Sequence, residues 1–208
     1  MLPFDVILLF FTSSILLAMA PGPDNLFVLA QSAQHGKKAG IVVTFGLCTG
    51  VLVHTAAVSM GVAAIFQTSQ LAFNILKYIG AAYLIYLAVM SFRASGAAGG
   101  PGRVEKLQYR RLYGRGVIMN ITNPKVSIFF LAFLPQFASP AHGPIIPQML
   151  MLGALFIVST ILIFGAVALL AGSFGEWLAQ SERASRILNR TAGTIFGALA
   201  IKLVMSER

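Results

Sequence analysis

Charge is scarce in this sequence. Only 10% of the residues are Asp, Glu, Lys or Arg, and 57% are hydrophobic. A soluble domain carries about 25% charged residues, so a water-facing surface is hard to build from this chain. Cysteine is nearly absent. Cys48 stands alone, which excludes a disulfide within the chain and a multi-cysteine metal site. Enzyme signatures are missing too: there is no HExxH, no GxSxG and no GxxxxGK[ST]. Strand-like alternation is lacking, and a transmembrane barrel would need it.

What is present is apolar length. Apolar runs fall near Pro3–Ala20, Ile41–Phe66, Leu71–Phe92, Gly116–Phe137, Gln148–Ala171 and Ile187–Val204. A membrane span needs roughly 20 such residues. The expectation is an all-α membrane protein of six transmembrane helices, forming a single transporter domain over residues 1–208. The run ending Ala18-Met19-Ala20 looks like a signal-peptidase site, but the first residues hold no Lys or Arg and Asp5 is acidic. The positive n-region of a leader is therefore missing, and the run reads as a retained span.

The net charge of +9 reads as topology. Lys37 and Lys38 follow the first span. Arg93, Arg103, Lys106, Arg110, Arg111 and Arg115 follow the third, and Arg183, Arg186 and Arg190 follow the fifth. The opposite loops hold Lys77, Lys202 and Arg208. The positive-inside rule then places both termini outside the cytoplasm, periplasmic in a bacterial inner membrane. Nucleic-acid binding is the competing reading of the charge, and a weak one, because the basic residues are dispersed among apolar spans; no nucleic-acid partner is expected.

Two breaks interrupt the apolar runs. At Pro21-Gly22-Pro23-Asp24-Asn25 the prolines forbid a continuing helix, and Pro23 suits the first position of a new one. Pro3 to Gln34 would be about 48 Å of helix, too long for one upright crossing of a ~30 Å core. Either the break and a tilt absorb the excess, or the second piece is re-entrant. At Thr122-Asn123-Pro124-Lys125 the theme recurs, with Asn123 as N-cap and Pro124 as first residue. Between them, Ala94 to Gly102 reads as a flexible linker, followed by a basic amphipathic segment to Arg115. Repeat one then spans about 1–93, the linker and amphipathic segment 94–115, and repeat two about 116–208. Pro23-Asp24 and Pro124-Lys125 are 101 residues apart. The pairs His35-Gly36 with His142-Gly143, and Gly46 with Gly153, are 107 apart. Three spans is an odd number, so the halves would form two inverted three-helix repeats, each with a Pro-broken first helix.

Asp24 and Lys125 are the sharp residues. Ionisable groups inside a span are costly and usually face a partner or a pathway. The bland alternative is that they lie near the headgroups, capped and solvated. Meeting breaks would let them pair, or share a zwitterionic guest. Open amides at Asp24–Leu26 and Lys125–Ser127 would take a carboxylate, and Asp24 an ammonium. Asn120, Asn123 and Ser127 make a polar stripe on one helix face. His54, on the face of Gly46 and Gly50, can titrate near neutral pH. A packed, hydrogen-bonded histidine is the competing reading. The expected substrate-binding set is Pro21, Gly22, Pro23, Asp24, Asn25, Asn120, Asn123, Pro124 and Lys125, with Asp24 and His54 as proton relays. No cofactor and no metal is implied. Small-xxx-small pairs at Gly46–Gly50 and Gly193–Gly197 mark close helix approach, within one monomer or in a homo-oligomer.

The segments MAPGPDNL, AQHGKKAG, GLCTGVLVHT, LKYIGAAYLIYLA and MNITNPKVSIFFLAFLPQF resemble the LysE/RhtB family of bacterial amino-acid exporters. The resemblance covers nearly the whole chain. It implies a six-span inner-membrane protein that moves amino acids such as threonine, homoserine, leucine, lysine or arginine out of the cell. It implies importance for Pro21, Gly22, Pro23, Asn123, Pro124 and Lys125. The residue after the PGP motif varies in the family, so Asp24 rests on its chemistry. Thr49, Gly50 and His54 look most like the homoserine/threonine and leucine branch. Some relatives carry cadmium; a single cysteine argues against a soft-metal site. The expectation is a secondary exporter of small neutral amino acids with proton coupling. A passive channel or uniporter and a non-transporting scaffold are the rivals.

Overall fold

The computed structural model describes residues 2–20, 22–68, 108–171 and 182–205, with scattered helical positions between 71 and 93. Pro21 and the linker, residues 94–107, lie outside the described residues, and the third span is described only at those scattered positions.

Every regular element among the described residues is helical. They are α1 (Phe4–Met19), α2 (Pro23–His35), α3 (Lys37–Thr68), α4 (Tyr109–Thr122), α5 (Pro124–Ile128), α6 (Ile145–Leu170) and α7 (Glu182–Met205). After α5 the winding loosens to a π turn over Phe129–Phe133 and then tightens to a 3-10 turn over Leu134–Phe137. A shorter 3-10 turn covers Pro140–His142.

Both breaks sit where the prolines require them. Pro23 opens α2 and Pro124 opens α5, each at a position whose amide has no helical partner anyway. The paired axes bend by 60° between α1 and α2, and by 51° between α4 and the helix continuing from Pro124 to Phe137. The α3 stretch Lys37–Gly61 and α6 are each long and apolar enough to cross a membrane. Counting each bent pair as one span makes four among the described residues. α4 begins at Tyr109, inside the segment expected to lie apart on the membrane surface. Leu112 buries against α3, and Tyr113 reaches the Thr49 hydroxyl at 2.6 Å. Packing on α3 draws that segment into the span.

Gly36 and Gly143 both have positive φ, +82° and +109°. Each ends a turn just before a long helix, α3 or α6. An L side chain would be strained at either.

The surface is inverted relative to a water-soluble protein. Along α3, Phe45, Leu52 and Met60 are exposed while Thr44, Thr55 and Ser59 are buried. Lipid is the solvent that rewards this arrangement. α3 packs chiefly on α4 and α6. It crosses α4 where Gly46 meets Gly116: a Cβ at Gly116 would fall 3.2 Å from the Gly46 Cα. Gly193 likewise admits a Phe92 ring, whereas Gly197 has no close contact among the described residues. Of the expected second close-approach pair, the described residues show the Gly193 contact.

The core divides in two. One cluster gathers Phe10, Phe129, Phe130, Phe133, Phe137 and Phe156, with ring centroids 4.8–6.1 Å apart. The other joins Val28 of α2, Val43 and Leu47 of α3, Leu112 of α4 and Phe164 of α6. A polar centre lies at the seam between them.

Candidate functional site

Lys125 is 8% exposed and Asp24 is 2% exposed, so neither is solvated at a rim. Lys125 Nζ donates to the carbonyls of Ala20 at 2.9 Å and Leu17 at 3.2 Å. These belong to the last turn of α1, where a helix leaves carbonyls unpaired and carries partial negative charge. Asn25 Nδ2 takes another, donating to Ala18 at 2.7 Å. The end of α1 is therefore closed by side chains from α2 and α5.

Gly22 makes room for this. A Cβ there would sit 3.1 Å from Lys125 Nζ and 3.5 Å from its Cε. The two breaks, far apart in sequence, thus meet at a lysine.

The start of α5 differs from expectation. Asn123 Oδ1 accepts from the Lys125 amide at 3.0 Å, and the Asn123 carbonyl accepts from Val126 at 3.1 Å and Ser127 at 3.0 Å. All three amides expected to receive a carboxylate are already bonded, because the N-cap that starts the helix also consumes its first donor. At α2 the Leu26 amide donates to the Gly22 carbonyl at 3.1 Å, and no side chain caps the helix.

Asp24 Oδ2 accepts a long bond from Asn120 Nδ2 at 3.4 Å. Its other oxygen, Oδ1, has no hydrogen-bond partner among the described residues, and neither do Asn120 Oδ1 and Asn123 Nδ2. The Asn123 amide lies near the Asp24 carboxylate without bonding it. A buried polar atom without a partner costs about 1–3 kcal/mol, and Asp24 and Asn120, which carry two of these three, line a common cavity. His54 Nε2 lies 3.2 Å from the Asn120 carbonyl, and its ring centroid is 5.7 Å from that of Phe130.

Asp24, Asn120 and Lys125 line one cavity with Leu17, Phe156 and Thr160, among others. The cavity measures about 10 Å³, room for roughly one water. Phe156 and Thr160, with Phe164 beyond them, come from α6 and were not expected here. Their signal in the sequence is faint: the Thr160 hydroxyl returns to the Phe156 carbonyl at 2.9 Å, like any helix-packing threonine. Of the expected set, Gly22, Asp24, Asn120 and Lys125 converge. Asn123 shapes the α5 start, and Asn25 serves α1. Pro21 lies outside the described residues.

An all-helical bundle with apolar exterior and a buried Asp–Asn–Lys centre at two broken helices has the build of an integral membrane protein that handles a polar solute. Residues 15–207 match the family model of the LysE type translocators, and the chain belongs to that family. It is 34% identical over 184 residues to a homoserine/homoserine lactone efflux protein of Salmonella typhimurium, covering 88% of each chain. It is 28% identical over 199 residues to a leucine efflux protein of Salmonella choleraesuis, covering 93% of this chain and 92% of that one. An uncharacterized membrane protein of Vibrio cholerae is 29% identical over 96% of this chain and 97% of its own. No solved structure matches.

Proposed function

We propose that this chain is a secondary transporter that exports small neutral amino acids, of the threonine, homoserine or leucine type, from the cytoplasm across the bacterial inner membrane. The observation that carries this is the cluster of unpartnered atoms at the seam. Asp24 Oδ1 and Asn120 Oδ1 are acceptors, and Lys125 lines the same cavity as both residues. Two acceptors suit an α-ammonium group, and a cation suits an α-carboxylate. Phe156 and Phe164 offer an apolar wall to the side chain.

The cavity is too small for an amino acid as it stands. That supports alternating access over a standing pore: the helices must part to admit substrate and close around it. The matched breaks and the matched glycines at 36 and 143 support two inverted three-helix repeats, with six spans and both termini periplasmic. Of the two titratable groups expected to relay the coupling proton, Asp24 faces the cavity. His54 faces a backbone carbonyl, so the proton is assigned to Asp24.

The test is reconstitution into vesicles with radiolabelled threonine, homoserine, leucine and lysine. The expected result is accumulation of one of the neutral three against its gradient, abolished by an uncoupler. Movement that only dissipates a gradient, indifferent to uncoupler, would establish the passive channel instead. No movement of any of them at verified insertion would favour the scaffold.

A further inference from the structure

A helix leaves its last carbonyls without helical partners. In the last turn of α4 such a carbonyl belongs to Asn120, and in the last turn of α1 to Leu17. Neither is left bare. His54, from α3, places Nε2 3.2 Å from the Asn120 carbonyl. Lys125, from α5, places Nζ 3.2 Å from the Leu17 carbonyl. A carbonyl only accepts, so His54 Nε2 bears the proton and donates. The Asn123 amide reaches the same Asn120 oxygen at 3.1 Å, leaving the second lone pair to the histidine.

The exchange is reciprocal. A side chain before the linker caps the carbonyl freed after it, and a side chain after the linker caps the carbonyl freed before it. His54 is built into its place. Its ring packs on Phe130, and Gly50, one turn earlier, admits Asn120, whose Cβ and Oδ1 lie 2.6 Å from where a Gly50 Cβ would be.

We propose that His54 and Lys125 act as crossed caps, and that His54 is a positioning residue, which fixes Asn120 and the α5 start rather than carrying the coupling proton. The inference rests on the site proposed above, and a stability readout makes it separable from that reading.

The first experiment is thermal unfolding of the purified full-length protein in detergent, read as Tm. His54→Leu is expected to lower Tm by roughly 2–4 °C, and His54→Gln, which keeps a side-chain donor, by less than half as much. Equal drops in both variants would overturn the cap. If His54→Leu is not recovered, His54→Phe keeps the ring without the N–H and gives the same comparison. In vesicles, His54→Gln retains a donor that cannot titrate. It is expected to export within about twofold of wild type with an unchanged pH profile, while His54→Leu loses at least tenfold. A His54→Gln variant as inactive as His54→Leu, or a His54→Leu variant as active as wild type, would overturn the assignment. The Tm arm decides even if no substrate is transported.

Discussion

Lys125 Nζ and the Ala20 carbonyl meet at 2.9 Å, although 105 residues separate them. The contact resolves an oddity of the sequence. A lysine in the first turn of a helix opposes the helix dipole, and Lys125 stands one residue inside α5. Its side chain leaves that end and reaches the carbonyl end of α1, where a cation is favoured. The misplaced charge of one helix is the cap of another.

Removing it should therefore have two effects. Lys125→Ala is expected to abolish efflux while membrane insertion stays normal. It should also cost about 1–3 kcal/mol of stability, since two buried carbonyls lose their donor. Efflux from vesicles at matched protein level checks the first, and thermal unfolding the second. Wild-type efflux from this variant would remove Lys125 from the site.

Gly22→Ala tests the same contact from the other side. The new methyl would lie 3.1 Å from the ammonium, tight enough to push it off its carbonyls. Export should fall severalfold with little loss of folded protein. Full activity would mean that the ammonium position is unimportant.

Asp24→Asn keeps the shape and removes the charge. If Oδ1 receives the substrate ammonium, transport KM should rise about tenfold or more, because a charge-assisted bond becomes a neutral one. An unchanged KM would refute that role, whatever happened to the maximal rate.

Gln148→Leu examines a staple away from the centre. Its side chain accepts from the Ser139 amide at 3.1 Å and donates to the carbonyls of Ser139 and Gly143, each at 2.9 Å. It ties the turn after the 3-10 segments to the start of α6. Stability should drop by about 1–3 kcal/mol with KM unchanged, measured by unfolding and by vesicle transport respectively. A KM shift comparable to that of Asp24→Asn would place the loop in the substrate path.

The two breaks and their charged residues were legible in the sequence because proline is unambiguous: it removes a donor whatever surrounds it. The meeting of Asp24 and Lys125 was one of two readings, since burial cost fits a facing partner and equally a solvated place near the headgroups. The state of the α5 amides was not legible, since Asn123 can cap a helix and still leave its first donors free, and only geometry decides which. Phe156, Thr160 and Phe164 were hidden for another reason. Apolar residues and self-bonded hydroxyls on a uniformly apolar helix look alike on every face, so periodicity does not say which face meets the cavity. Gly46 and Gly193 make close contacts among the described residues, where a small residue permits an approach that packing then uses.

The segment after α5 winds as π over five residues and then as 3-10 over four. A 3-10 turn rises about 2.0 Å per residue against about 1.5 Å for α. Rewinding Leu134–Phe137 as α would shorten the rod by about 2 Å without unfolding it. Slack of that size lies one π turn beyond the helix that carries Lys125, in a rod anchored by buried phenylalanines, so a change of pitch there can accompany the parting of the helices.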